Sequence, residues 1–242
     1  MPYWLKQTLL GLLVAAAPIS LGTSGIAARD SQDDWSAAAR AEMVETQIQS
    51  RGVRSPDVLR AMGRVPRHLF VPFNLQRRAY EDTPLPIGRG QTISQPFVVA
   101  HMTEALAVTR DHTVLEIGTG SGYQAAVLAE LAREVYTIEI VPDLADGARR
   151  VLAAAGYNNV RVRTGNGYLG WPEQAPFPRI IVTAAPAEIP PALIDQLAVG
   201  GTMVIPVGTT SQEIRVVTKN ATKVTEKRTI SVRFVPMVGA PQ

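Results

Sequence analysis

The stretch VLEIGTGSGYQ, from Val114 to Gln124, decides how this chain folds. Residues 113–117 have the length of a buried strand and are mostly apolar apart from Glu116, and residues 123–132 carry apolar side chains at helical spacing. Between the two stand Gly118, Gly120 and Gly122. Glycine suits such a turn because it adopts backbone angles closed to other residues and lets a ligand approach the main chain. The pattern therefore predicts a strand, a turn and a helix that together hold a nucleoside-bearing ligand.

The glycine spacing narrows the type of ligand. Dinucleotide-binding turns follow G-x-G-x-x-G and place a pyrophosphate at the helix N-terminus. Here the third glycine comes one residue earlier, and Glu116 stands two residues before the first. Glu139, in the predicted strand 133–140, follows Gly118 by 21 positions, close to the roughly 20 expected for an acid that binds a ribose. We expect a ribose without a required pyrophosphate; a tight turn that binds nothing is the alternative.

The composition limits the class of protein. A chain of 242 residues, 46% of them hydrophobic, is long enough for one α/β domain with a full core. The net charge is only +3 and there is no long basic run, so a nucleic-acid partner is not indicated. The absence of cysteine excludes disulfides, thiolate nucleophiles and zinc–cysteine sites. The three histidines lack the spacing of metal ligands, and no metal site is predicted.

The N-terminus differs from the rest of the chain. Lys6 precedes an apolar run from Thr8 to Leu21, and small residues follow up to residue 28. This layout is typical of a secretory signal peptide, and predicts export to a periplasm-like compartment. Pro18 and the short apolar length argue against a stable transmembrane helix, although an uncleaved anchor is an alternative. Residues 29–242 are then expected to form a single domain.

The remaining pattern predicts a sheet with helices on both faces. Helical periodicity over residues 35–51 and 56–64, with Ser55 as a cap, predicts an N-terminal helical cover. Residues 65–72 and 80–87 are expected to be an irregular connection, and residues 95–108 a helix. From Thr113 onward strands and helices alternate, which indicates a mostly parallel sheet. Residues 213–219 and 229–235 alternate apolar and polar side chains, and predict an antiparallel hairpin at the sheet edge.

A polar loop precedes the helix at residues 95–108. Residues 87–96, IGRGQTISQP, combine two glycines with hydroxyl and amide side chains. One interpretation is a helix cap, in which Ser94 or Thr92 accepts hydrogen bonds from backbone NH groups. Three later segments favour a binding site instead: GNGYL at residues 165–169, RIIVTAAP at residues 179–186, and LIDQLAVGGTMVIPVG at residues 193–208.

These motifs, in this order and spacing, resemble the protein-L-isoaspartate O-methyltransferases, the enzymes that methylate L-isoaspartyl residues in damaged proteins. The resemblance runs from about Ala41 to Val238 and is most specific in GQTISQP; E-x-G-x-G-x-G is similar to the first motif of S-adenosylmethionine-dependent methyltransferases. It implies a Rossmann-like methyltransferase fold, S-adenosyl-L-methionine as methyl donor and no metal. The acceptor would be the free carboxylate of an isoaspartyl residue, whose methyl ester then cyclises to a succinimide. A cytoplasmic location is usual for the family and is the alternative to export.

The resemblance also implies roles for particular residues. Ser94 would be the catalytic residue, and Gln91, Thr92 and Ile93 would bind the substrate. The methionine end of the cofactor would contact the main chain at Gly118, Gly120 and Gly122. Its ribose would bind Glu139, and its adenine would bind Asn166 and Gly167. Asn166 stands where the family usually has aspartate. Glu116 would order the glycine turn or reach the cofactor's amino group, and a carboxylate that caps the loop is nearly as good an interpretation.

Two other functions stay open at this point. One is a methyltransferase of the same fold that acts on a small molecule or nucleic acid, which would share the cofactor motifs but has no reason to contain GQTISQP. The other is a non-catalytic protein that binds S-adenosylmethionine. A nicotinamide-dependent dehydrogenase is less compatible, because the glycine spacing differs.

Overall fold

A computed structural model describes residues 35–240 of the chain. The signal-peptide prediction concerns residues 1–28, which lie outside the described residues. No helix within the described part of the chain has the length and apolarity needed to cross a bilayer.

A seven-stranded sheet forms the centre of the fold. Its strands are β3 (Thr113–Ile117), β4 (Glu134–Glu139), β5 (Val160–Thr164), β6 (Phe177–Val182), β7 (Leu197–Val207), β8 (Gln212–Lys219) and β9 (Val224–Val232). They lie in the order β5-β4-β3-β6-β7-β8-β9. The first five are parallel, and β8 and β9 run antiparallel to their neighbours. The predicted mostly parallel sheet with an antiparallel edge is confirmed.

Helices cover both faces of this sheet. Alternate residues of β3 point into different parts of the core: Val114 packs with α3 (Pro96–Leu106), α4 (Tyr123–Ala129) and α5 (Pro142–Ala154), whereas Leu115 packs on the side of α6 (Pro191–Gln196). A parallel strand buried on both faces needs a mostly apolar sequence, and in β3 the buried acid Glu116 is the exception. The predicted Rossmann-like layering is therefore confirmed.

The N-terminal cover consists of helices and a small hairpin. Residues 35–42 are α-helical and continue as a π-helix over Met43–Gln49; together they are α1. Helix α2 (Pro56–Arg64) begins as predicted, with the Ser55 hydroxyl accepting a hydrogen bond from the Val58 NH at 3.4 Å. The predicted irregular connection at residues 65–72 instead contains a 3₁₀ turn, Arg67–Phe70, and a second 3₁₀ turn, Phe73–Arg78, follows it.

A second sheet lies in the same region. Strands β1 (Leu85–Gly88) and β2 (Gln91–Ile93) form an antiparallel hairpin. The prediction of an irregular chain over residues 80–87 was wrong there, because its prolines suggested a break. In a two-stranded sheet every strand is an edge strand, and edge strands tolerate proline.

The two edges of the large sheet are rich in charge. Strand β9 exposes most of its side chains, including Glu226, Lys227 and Arg228, and pairs with β8 on one side only. It begins at Val224, five residues before the predicted start, because its first half lacks apolar alternation. Strand β5, at the opposite edge, carries Arg161 and Arg163. After β9 the C-terminal segment (residues 233–239) turns back, and Pro236 forms a bridge with Ala185 beyond β6.

Candidate active site

One cavity lies at the carboxyl ends of the central strands, where ligands bind in open α/β sheets. Parallel pairing aligns the last residues of β3, β4 and β6, since Ile117 pairs with Ile138 and with Val182. The segments that follow these strands therefore meet at one edge. This main cavity opens to solvent, and the space within it and its mouth is about 910 Å³.

The main cavity brings together most of the predicted site residues. Its wall includes Gln91, Thr92, Ile93, Ser94, Gly118, Gly120, Glu139 and Gly167. Glu116, Gly122 and Asn166 do not line it: Glu116 is fully buried, Gly122 packs against α5, and Asn166 bonds the C-terminal segment. The loop predicted to bind the substrate and the turn predicted to bind the cofactor thus share one cavity. In the sequence, Ser94 and Gly118 are 24 positions apart.

The glycine loop (Gly118–Gly122) is held close to the ends of β4 and β6. The NH of Gly118 donates to the Ile138 carbonyl at 2.8 Å. Gly118 has a φ of +98°, and a Cβ at this position would clash with the Thr183 hydroxyl. Gly122, by contrast, faces α5, where a Cβ would lie 3.2 Å from Leu152. Gly118 is therefore required by the cavity wall, whereas Gly122 is required by helix packing.

Glu139 connects the second strand to the glycine loop. One carboxylate oxygen accepts a hydrogen bond from the Gly120 NH at 2.8 Å, and the other accepts from the Val141 NH at 3.0 Å. A carboxylate has about four acceptor positions, so two remain for a ligand in the main cavity. Glu139 can fix the loop and still accept hydrogen bonds from a pair of hydroxyl groups.

Among the predicted cofactor residues that carry a side chain, Glu116 is the one buried most completely. It is 0% exposed, and neither carboxylate oxygen makes a hydrogen bond of normal length and angle within residues 35–240. Burial raises the pKa of Glu116 to about 8; the Thr137 hydroxyl opposes this rise and the nearby charge of Glu139 adds to it. The interpretation of Glu116 as a loop cap is wrong, because its oxygens accept no NH from the loop.

Asn166 holds the C-terminal segment. Its amide NH₂ donates to the Gly239 carbonyl at 2.6 Å, and its oxygen accepts from the Tyr168 NH at 3.0 Å. The Tyr168 hydroxyl also donates to the Met237 carbonyl at 3.3 Å. Gly167, between them, lies on the cavity wall so close to Ile117 that a Cβ would clash. The predicted adenine end of the site is thus closed by residues 73 positions apart.

An aspartate at position 166 should loosen this closure. In Asn166→Asp the ionised carboxylate cannot donate to the Gly239 carbonyl, and we expect unfolding free energy to fall by about 1 kcal/mol and amide exchange in residues 237–240 to accelerate. Chemical denaturation and hydrogen exchange measure both. Asn158→Asp makes the same charge change at an exposed side chain that has no hydrogen-bond partner among the described residues. Equal behaviour of the two variants would show that the Asn166 hydrogen bond is unimportant.

Ser94 points a free hydroxyl at the main cavity. The side chain is half-buried and makes no hydrogen bond within the described chain, while its carbonyl accepts from Arg67 at 2.7 Å. The interpretation of Ser94 or Thr92 as a helix cap is wrong, because the N-cap of α3 is Gln95 and no side chain caps it. The Ser94 hydroxyl is therefore available to a ligand.

A second cleft opens beside the main cavity. The two share Thr92, Ser94, Thr183 and residues 234–236, and the second cleft extends along the end of β9 from Ile230 to Arg233. The sequence had indicated small residues at 179–186, without singling out Thr183. Thr183 matters because it contacts Gly118, which lies 65 positions away in the sequence. No local sequence pattern indicates this contact.

The described residues contain no group of three or more histidines, aspartates and glutamates placed to hold a metal ion.

Comparison with known proteins agrees with this geometry. The family model described as protein-L-isoaspartate(D-aspartate) O-methyltransferase matches residues 38–242. A protein-L-isoaspartate O-methyltransferase of Synechococcus sp. (strain JA-2-3B'a(2-13)) is 57% identical over 217 residues, covering 86% of this chain and 88% of its own. That of Gloeobacter violaceus is 58% identical over 197 residues, covering 81% and 96%.

A similar fold is found in a solved structure. The beta-aspartate methyltransferase from Plasmodium falciparum, in complex with S-adenosyl-L-homocysteine, aligns with a TM-score of 0.74 and 25% identity. The alignment covers 82% of this chain and 98% of that one.

Proposed function

We propose that this chain, which belongs to the protein-L-isoaspartate(D-aspartate) O-methyltransferase family, carries out its methyl transfer in the main cavity, with Ser94 as the residue that receives the acceptor. The chain is an S-adenosylmethionine-dependent protein carboxyl O-methyltransferase acting on L-isoaspartyl residues of damaged proteins. One observation carries the placement of the reaction: the unpartnered Ser94 hydroxyl and the glycine loop face the same cavity.

The residues present fit the methyl donor. When bound, S-adenosylmethionine supplies a methyl group activated by a positively charged sulfur. The Gly118 main chain lines the main cavity and would hold its methionine end. The free acceptor positions of Glu139 would bind the ribose hydroxyls, and Gly167 would allow the adenine to lie against the wall. These contacts would be supported by three residues that do not line the cavity: Glu116, Gly122 and Asn166.

The acceptor needs positioning and no general base. A carboxyl group with a reference pKa of about 4 is already ionised at neutral pH. The Ser94 hydroxyl would donate a hydrogen bond to that carboxylate and fix its line of approach, while Gln91, Thr92 and Ile93 shape the surrounding wall. Orientation of this kind can lower a barrier by roughly 7–11 kcal/mol.

The second cleft would receive the chain on either side of the isoaspartyl residue. It shares Ser94 with the main cavity and is open to solvent along the end of β9, so a protein segment can enter it. After release, the methyl ester cyclises to a succinimide without help from the enzyme.

Replacing Ser94 tests this assignment. Purified protein is incubated with labelled S-adenosylmethionine and a pair of isoaspartyl and aspartyl peptides, and only the isoaspartyl peptide should be methylated. Ser94→Ala should lower kcat about 100-fold, as loss of a positioned donor does elsewhere, and leave the Kd for S-adenosylhomocysteine within about twofold of the parent, because the serine lies outside the glycine loop.

The control is Ser211→Ala, which alters an exposed serine outside both clefts. Labelling of neither peptide by the parent would remove the substrate assignment. A Ser94→Ala variant with the parent's kcat would remove Ser94 from the mechanism while leaving the activity intact.

We also propose that residues 1–28 direct export of the enzyme. Support comes from Lys6 followed by an apolar run and small residues. N-terminal sequencing of the mature protein tests this: a start near residue 29 is expected, and an intact Met1 in a cytoplasmic fraction would contradict export. S-adenosylmethionine made in the cytosol would have to reach the exported enzyme.

A further inference from the structure

A buried arginine lies directly behind Ser94. Arg67, in the first 3₁₀ turn, is 0% exposed. Its Nε donates to the Ala79 carbonyl at 2.7 Å and its Nη2 donates to the Ser94 carbonyl at 2.7 Å. The guanidinium also stands over the ring of Tyr123, 4.7 Å from the centroid. A single side chain thus links the Ser94 loop to the first residue of α4.

The positive charge of Arg67 has no counter-ion in the described chain. No carboxylate between residues 35 and 240 lies within ion-pair distance of it, and Nη1 has no hydrogen-bond partner there. Burial lowers the pKa of Arg67, and the phenols of Tyr123 and Tyr80 oppose this shift. Arginine nevertheless stays cationic in proteins. The wall behind Ser94 therefore carries a fixed charge that nothing in the described protein neutralises.

An uncompensated buried cation is costly to a protein, which suggests a use for it. An isoaspartyl acceptor at Ser94 would bring its carboxylate near the guanidinium, which binds the carbonyl of the same serine. Attraction between buried charges is little screened by solvent, so this cation would favour an anionic acceptor at Ser94 over a neutral one of the same shape. The hydrogen bond to the Ser94 carbonyl would meanwhile hold the loop in place.

We propose that Arg67 is a positioning and specificity-determining residue that selects an ionised carboxylate at Ser94. This inference rests on the proposed function. Arg67 would act through its positive charge and through its hydrogen bond to the Ser94 carbonyl, without direct contact with the methyl donor.

A thermodynamic cycle separates this role from a purely structural one. Binding of two peptides is measured by calorimetry in the presence of S-adenosylhomocysteine: an isoaspartyl peptide, and the same peptide with the free carboxylate replaced by a carboxamide. The parent should bind the acid at least tenfold more tightly than the amide. In Arg67→Met the preference should fall below twofold, because the charge is gone. A structural role alone would weaken both peptides equally.

Two further variants complete the design. Arg67→Lys keeps the positive charge but loses the planar guanidinium, which donates to two carbonyls at once. This variant should retain the preference for the acid within about threefold. Arg40→Met is the matched control, since Arg40 also donates to backbone carbonyls of the N-terminal cover but makes no hydrogen bond to the Ser94 loop; it should keep the full preference.

Each remaining outcome has a defined meaning. A parent that does not distinguish acid from amide, an Arg67→Met variant that retains tenfold preference, or an Arg67→Lys variant that loses it would each overturn the inference. If the methionine variant does not fold, the parent and the lysine variant still decide. A parent that neither binds nor methylates the isoaspartyl peptide would instead remove the proposed function.

Discussion

Replacing Gly118 with alanine is expected to weaken binding of S-adenosylhomocysteine at least about 100-fold and to lower the unfolding free energy by about 1–3 kcal/mol. Gly118 adopts a φ of +98°, and the added Cβ would clash with the Thr183 hydroxyl. That hydroxyl lies 3.0 Å from the Ile117 carbonyl and 2.6 Å from the Gly118 carbonyl, and its single hydrogen is shared between them. Relieving the clash must therefore move the glycine loop or break these bonds, and either change distorts the cavity wall.

Calorimetric titration and urea unfolding measure the two effects. The control is Gly147→Ala, in the middle of α5, where a Cβ meets nothing within 4 Å and φ is not positive. This control should bind normally and gain about 0.5–1 kcal/mol, since alanine is the better helix former. Parent-like affinity in Gly118→Ala would show that the loop does not hold the cofactor.

Replacing Glu116 with glutamine should remove a large pH dependence from the stability of the ligand-free protein. The folded state raises the pKa of Glu116 from 4.5 to about 8. Between these values the folded state binds a proton that the unfolded state has released, so stability falls as pH rises. The loss can reach about 1.4 kcal/mol per pH unit. Glutamine resembles the protonated acid and does not ionise. The stability of Glu116→Gln should therefore not fall in this way as pH rises.

Urea unfolding from pH 4.5 to 8 measures the effect. The two proteins should be similar in stability at the acidic end, and the variant should be more stable by several kcal/mol at pH 8. Glu188→Gln removes a carboxyl from an exposed position and should follow the parent. A constant difference between Glu116→Gln and the parent across this range would contradict a raised pKa.

The parts of the site that the sequence predicted are those specified by neighbouring residues. Strand β3 has the predicted bounds, because four successive apolar or buried positions and the glycines after them leave few alternatives. Glu139 could be placed at the same edge because parallel strands align their carboxyl ends. Its hydrogen bonds to Gly120 and Val141 are local consequences of that alignment.

The parts that could not be predicted depend on contacts between distant residues. Nothing near Asn166 indicates that its amide binds Gly239, and nothing near Arg67 indicates that it reaches Ser94. The β1–β2 hairpin was missed for a different reason: strands of four and three residues are too short for alternation to identify. Local patterns thus predict the glycine loop, and the family resemblance points to Ser94, whereas tertiary packing decides which groups support them.

The charged edges of the large sheet have a consequence for an enzyme whose clients are damaged proteins. Partly unfolded chains carry unpaired strands, which add readily to any exposed sheet edge. On β9, Glu226 pairs with Arg215 and Arg228 pairs with Glu213, and on β5 Arg161 and Arg163 pair with acids. An incoming apolar strand would have to lie beside these charges without water. Both edges should therefore resist pairing with strands of the client proteins.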